Sequence, residues 1–296
     1  MANKISVDPR IDKRIRDVFG SMEVDTVLTE HVSREALMAF EETEEAKLGK
    51  AVMAQINNAP HYKEVVPSDG LSTTTKEFIS EPDGNTIKIQ YIRPDTDETL
   101  PCVYYIHGGG MEMSSCFDEI YQAWGRCIAR QNVAVAMVDF RNARWASSAE
   151  QVAPYPAGLN DCVSGIKWVH ASGADLNIQP EKIIIAGESG GGNLTIATTL
   201  RLKQEGQLNL ITGMYPICPY IAGAWPLPEN PSSIENEGLL LSLHTSSGVS
   251  HGAIVYGIEE FNNKNPLAWP GFCTVDDVKG LPKTYNIVNE CDPLRD

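Results

Sequence analysis

One segment restricts the fold of this chain more than any other. The apolar run KIIIA at 182–186 passes straight into Gly187-Glu188-Ser189-Gly190-Gly191, and from there into LTIATTLRLK, which has helical length and spacing. A G-x-S-x-G sequence fused to a strand on one side and a helix on the other makes a sharp turn that lifts the serine hydroxyl above a sheet. Its glycines are needed because neighbouring backbone crowds the turn. The bare pattern is common by chance, so the strand before it and the helix after it carry the reading.

The rest of the chain supplies the sheet that such a turn requires. Short apolar runs, CVYYI at 102–106, VAVAMV at 133–138, KIIIA at 182–186, LITGMY at 210–215 and TYNIVN at 284–289, read as strands buried on both faces. Between them, segments at about 115–131, 157–172 and 190–205 have helical spacing, giving the repeated βαβ alternation of a mostly parallel sheet flanked by helices. Ahead of these, TTTKEFIS, PDGN and TIKIQYIRP read as two alternating strands around a tight polar turn. Residues 1–65 carry spaced apolar residues (Val18, Phe19, Met22, Val27, Leu28, Leu37, Met38, Phe40) among mixed charges, and predict short amphipathic helices that form a cap segment. Residues 66–296 form the body. Within it, the Pro-, Gly- and Asn-rich stretch 216–283, with helices expected around Leu239 to Tyr256, predicts a second cap excursion over the C-terminal edge of the sheet.

Composition narrows the partners. A net charge of −15 over 296 residues, with no basic run, opposes binding to nucleic acid or to an anionic membrane. Charges at Lys4, Asp8, Arg10, Asp12, Lys13, Arg14, Arg16 and Asp17 rule out the apolar core of a signal peptide. Gly206 to Pro228 is uncharged, but Pro216, Pro219, Pro226 and Pro228 break any spanning helix, so no membrane insertion is expected. Seven cysteines, an odd number without a paired CxxC, point to free thiols and a cytoplasmic address. There is no G-x-G-x-x-G, no G-x-x-x-x-G-K and no HExxH, so neither a cofactor nor a metal is expected. The partner expected is a small-molecule ester; a homo-oligomer is left open.

Three pieces of one chemistry lie in order along the chain. Ser189 is the candidate nucleophile. His107-Gly108-Gly109-Gly110, directly after CVYYI, offers side-chain-free amides to a developing oxyanion, and the Gly190 amide at the helix start adds another. Asp292, after TYNIVN, stands where the acid follows the serine in this fold, although an aspartate at a strand end also serves as a turn or helix cap.

HGGG at 107–110, GESGGGNL at 187–194, DPLRD at 292–296 and QPEKIIIAGES before the elbow resemble the hormone-sensitive-lipase-like esterases, also called bacterial family IV. The resemblance runs from about residue 70 to the end. It implies an α/β-hydrolase fold with a helical cap, and hydrolysis of short to medium acyl esters through a serine acyl-enzyme. Ser189, Asp292, Gly108 to Gly110 and Gly190 take the family roles position by position. Departures are Glu188 and Gly190, where members commonly have Asp and Ala, Met111-Glu112-Met113 after the glycines, and the long segment Asp139 to Gly158 in place of DYRLAPE.

The family's histidine follows DPLRD by a few tens of residues, and the resemblance implies a further helix, a last strand and that histidine beyond Asp296. Without it, kcat is expected to fall on the order of 10⁴- to 10⁶-fold. His31, His61, His107, His170, His244 and His251 all precede Asp292, the wrong order for this fold. His107 is expected to order its loop; His244 and His251, in the cap stretch, are expected at the surface, with either as the alternative base. Two alternatives stand beside the esterase. One is a non-catalytic small-molecule binder, as in the plant gibberellin receptors of the same family, and the other an amide-cleaving acyl hydrolase.

Overall fold

In the computed structural model, which describes residues 4–21, 33–224, 227–239 and 251–296, the polar turn after Ser80 joins two long strands. These are β1 (Leu71–Ser80) and β2 (Asn85–Pro94), antiparallel and paired along their whole length from Leu71 opposite Pro94 to Ser80 opposite Asn85. The chain then alternates as its apolar runs predict: β3 (Leu100–Ile106), β4 (Ala134–Val138), β5 (Ile178–Glu188), β6 (Gly213–Ile217) and a short β7 (Lys283–Thr284). Among the described residues the strands form one seven-stranded sheet, in the order β1-β2-β4-β3-β5-β6-β7. The pairings of β3 with β4 and β5, of β5 with β6 and of β6 with β7 are parallel, whereas β2 meets β4 antiparallel.

Before the sheet lie the helices Lys4–Val7 (α1), Lys13–Phe19 (α2), Arg34–Phe40 (α3), Glu44–Asn57 (α4) and His61–Val65 (α5). Capping side chains start three of them: Asp12, Ser33 and Thr43 each accept a hydrogen bond from a first-turn amide. Helices α6 (Glu119–Ala129), α7 (Ala157–Ala171) and α8 (Gly190–Gln204) fall where their periodicity places them. After β6 come α9 (Pro231–Glu235), α10 (His251–Asn262) and α11 (Val275–Val278). Parts of the expected cap segments, 22–32 and 240–250 with Met22, Val27, Leu28, His31 and His244, lie outside the described residues.

Alternation along the strands sends side chains to two cores. Tyr104, Ile106, Ala136, Ile183 and Ile185 bury toward α7 and α8, together with Leu37 of α3, Tyr256 of α10 and Trp269. Val103, Tyr105, Val135 and Met137 bury toward α6, where Tyr121 and Ala129 meet them. The result is a helix–sheet–helix sandwich.

Two expected strands are displaced. Leu208–Leu210 form a 3₁₀ turn, and β6 begins at Gly213 and runs through Pro216 to Ile217. The run TYNIVN contributes little ladder: β7 pairs only at Lys283 and Thr284, and Ile287 makes an isolated bridge to Ile217. Among the described residues no helix is long and apolar enough to cross a membrane.

Candidate active site

Ser189 occupies the turn between β5 and α8 with φ 55° and ψ −116°, a left-handed conformation unusual for a residue with a Cβ. The turn is held from three sides. The Ser189 amide donates to Ile217 O at 2.9 Å, while its carbonyl accepts from Asn193 N at 3.0 Å and Tyr220 N at 2.9 Å. Asn193, fully buried, in turn donates through Nδ2 to Tyr220 O and Ala268 O, so helix α8, the end of β6 and the segment after α10 brace one serine. Ser189 itself remains partly exposed.

The glycine loop after β3 comes against the start of α8. A Cβ built on Gly190 would lie 2.6 Å from the Met111 nitrogen and 2.7 Å from the Gly110 nitrogen. Gly109 and Gly110 have φ of 96° and 65°, and Met111, at 61°, continues the left-handed path. Among the described residues, no hydrogen bond occupies the amides of Gly109, Gly110 or Gly190. Unpaired backbone donors converging beside a serine are what an anion forming there requires.

Buried side chains fix this loop. His107 is fully enclosed, stacked on Phe140 with ring centroids 4.3 Å apart, and its Nδ1 lies 2.8 Å from the Gly108 carbonyl. Since a carbonyl can only accept, the proton sits on Nδ1. Burial holds the imidazole pKa below its ordinary value and so keeps it neutral, although Asp139 Oδ1 lies 3.9 Å from Nε2. Asp139 instead accepts from Ser115 Oγ, Cys116 N and Ser148 N. Glu188 is largely buried, accepts from Tyr121 Oη at 3.0 Å, and has its carboxyl pKa raised by that burial. Its carboxylate presses on Gly108, where any side chain would collide with it.

Asp292 stands beyond the end of β6. Its Oδ1 accepts from Leu294 N at 2.8 Å. Burial raises the Asp292 pKa, and the same surroundings push the Cys218 thiol up to about 11. Cys218 has a positive φ of 42° and its sulfur accepts from Asn289 Nδ2 at 3.1 Å. The end of β6 joins the serine turn to the segment that leads to Asp292: Ile217 O holds Ser189, and the Cys218 amide donates to Ile287 O at 2.7 Å. Of the other histidines, His61 opens α5, His170 lies near the end of α7, and His251 is buried at the start of α10. Sequence alone assigns no role to Cys218, Tyr121 or Glu112, although Glu112 stands out there as a departure after the glycines. Of these only Glu112, an acid set directly after an apolar glycine loop, left a signal in the sequence.

Residues 103–296 match a protein family described by the α/β-hydrolase fold. The chain belongs to this family. This α/β-hydrolase is a hormone-sensitive-lipase-like carboxylesterase, and the proteins it resembles include several esterases. The structure of esterase Est22 is 56% identical, with a TM-score of 0.93 over 100% of this chain and 84% of that one. A brefeldin A esterase, described as a bacterial homologue of human hormone-sensitive lipase, is 32% identical with a TM-score of 0.70, covering 91% of this chain and 74% of its own. An arylesterase of Saccharolobus solfataricus is 28% identical over 235 residues, 78% of this chain and 70% of that protein.

Proposed function

We propose that this hydrolase cleaves short to medium acyl esters with Ser189 as nucleophile. The amides of Gly108, Gly109, Gly110 and Gly190 hold the oxyanion, and Asp292 orients the general-base imidazole. The observation that carries the assignment is the meeting of the strained Ser189 turn with unoccupied amides on the facing loop, 2.6 to 2.7 Å from where a residue-190 side chain would stand. Attack of Ser189 Oγ on the ester carbon places negative charge on the former carbonyl oxygen, and donors already in place stabilise it without reorganisation. The base takes the serine proton and passes it to the leaving alcohol, and water then releases the acid by the reverse route. His107 is unsuited to be that base, since it is enclosed, stacked on Phe140 and made less basic by its burial. Est22 has been described in complex with p-nitrophenol, which supports small aryl esters as substrates.

In this reading residues 1–65 and the excursion 216–283 form the cap. Arg34 of α3, which donates to Val255 O of α10 at 3.3 Å, supports treating them together. Seven free cysteines favour a reducing compartment, the cytoplasm. The test, run on protein that carries the expected histidine, is turnover of p-nitrophenyl butyrate combined with fluorophosphonate labelling. Ser189→Ala is expected to lose about 10³-fold or more in kcat, and the label to map to the peptide containing Ser189. Turnover at the parent rate by Ser189→Ala would overturn the assignment. A parent protein that binds esters without turning them over would favour a receptor instead, and faster cleavage of an anilide than of the ester would favour an amidase.

A further inference from the structure

A chain of charged side chains, unused by the reaction above, ties the glycine loop to the N-terminal helices. Glu112 lies two residues past Gly110, is 7% exposed, and turns its carboxylate back on the loop: a Cβ on Gly110 would stand 3.3 Å from Glu112 Oε1. Glu112 Oε2 lies 3.4 Å from Arg144 Nη1. The same guanidinium donates from Nε to Glu41 Oε1 at 2.6 Å, at the C-terminal end of α3, and Glu41 Oε2 accepts from Trp145 Nε1 at 2.5 Å. Backbone bonds run parallel to this chain. Arg144 N and Trp145 N both donate to Glu112 O, at 3.1 and 2.8 Å, and Ala143 N donates to Met111 O at 3.0 Å. At the other end of α3, Arg34 donates to Ala143 O at 3.0 Å. The strip 143–145 therefore has α3 on one side and the glycine loop on the other.

Attaching a helix through three largely buried charges is costly, because each must be desolvated. Apolar contact would hold α3 equally well. What a guanidinium shared by two carboxylates adds is direction, since its planar fork fixes both acids in angle and distance.

We propose that Glu112 and Arg144 are positioning residues for ester hydrolysis. Seating of α3 through Glu41 orients Arg144, which fixes Glu112 and so sets the amides of Gly109 and Gly110, making the loop competent only when the N-terminal helices are docked. The proposal rests on reading that loop as the oxyanion site. It predicts an effect on the transition state with little effect on substrate binding.

The test compares Arg144→Met, Glu112→Gln and Glu41→Gln, with Arg144→Lys as the conservative variant. Measured are kcat and KM for p-nitrophenyl butyrate, and inhibition by an alkylboronic acid whose tetrahedral adduct places an oxygen in the oxyanion site. Arg144→Met and Glu112→Gln should lower kcat about 10- to 100-fold and weaken boronate inhibition in parallel, with KM changed by about twofold or less. Glu41→Gln should act in the same direction, and Arg144→Lys should recover part of the loss. If Arg144→Met does not fold, the isosteric Glu112→Gln decides. Folded variants with parental kcat, or with KM raised while kcat and boronate inhibition hold, would overturn the proposal. Those outcomes with an inactive Ser189→Ala would remove only this link, whereas an active Ser189→Ala would remove the reading beneath it.

Discussion

At Ser189 the backbone takes a conformation that costs on the order of 1–3 kcal/mol for a residue with a side chain, and such strain persists only where the surroundings over-determine it. Here the bonds to Ile217, Asn193 and Tyr220 do so. The next two residues answer to different neighbours, and so should fail differently. A methyl on Gly190 would stand 2.6 and 2.7 Å from the backbone nitrogens of Met111 and Gly110, so the loop would have to shift and its amides would leave their places. Gly190→Ala is accordingly expected to lower kcat about 10- to 100-fold, with a smaller loss of stability than the same change at Gly191. A methyl on Gly191 would collide with Ile106 O and approach His107 O at 2.6 Å, the end of a central strand that cannot move freely. Gly191→Ala should therefore cost about 1–3 kcal/mol of folding stability as well as activity. Ester kinetics and urea unfolding of the two variants separate the cases, and equal stability losses in both would count against the distinction.

Among the elements, α3 shows how a short helix becomes part of the body. Its seven residues would be marginal alone, yet Ser33 caps its start, Arg34 and Glu41 anchor its ends, and Leu37 is fully buried in the core shared with the sheet. Leu37→Ala is expected to cost about 2–5 kcal/mol, as for other fully buried leucines, read from the urea midpoint; a change within error would mean that α3 is not seated as described. The contrast with what sequence alone reveals is instructive at this scale. The helices α6, α7 and α8 and the strands β3, β4 and β5 were legible because each carries its own apolar signal and buries at least one face. The elbow was legible for the same reason, since strand, turn and helix are contiguous. The register of β6 was not. Pro216 signals an ending, yet its carbonyl still accepts from Ile287 N at 3.3 Å, and pairing with β5 rather than local propensity sets the limits of that strand. The Glu41–Arg144–Glu112 chain was illegible for a different reason: its members lie far apart in sequence, and no local pattern announces a contact that only the packed fold creates.

The molecule as a whole carries seven thiols, and their surroundings make them reporters of how it opens. Cys102, Cys116 and Cys162 are buried, the first and third in the core beneath α7 and α8, the second in the core beneath α6. Desolvation drives the Cys102 thiol to about 12 and those of Cys116 and Cys162 well above their ordinary value. Burial also pushes Cys273 to about 11 and raises Cys291, while Cys127 is exposed on α6. Because the thiolate is the reactive form, both inaccessibility and these shifts suppress modification. An uncharged maleimide suits the measurement, since a net charge of −15 repels anionic reagents. At pH 8 the native protein should label first at Cys127, with Cys102, Cys116 and Cys162 silent, and all seven should react in denaturant. The two cores share one sheet, so the three silent thiols are expected to become reactive together as urea is raised, with a single midpoint. If Cys116 reacted at a lower urea concentration than Cys102 and Cys162, the α6 face would open independently of the sheet, and the sandwich would not be one cooperative unit.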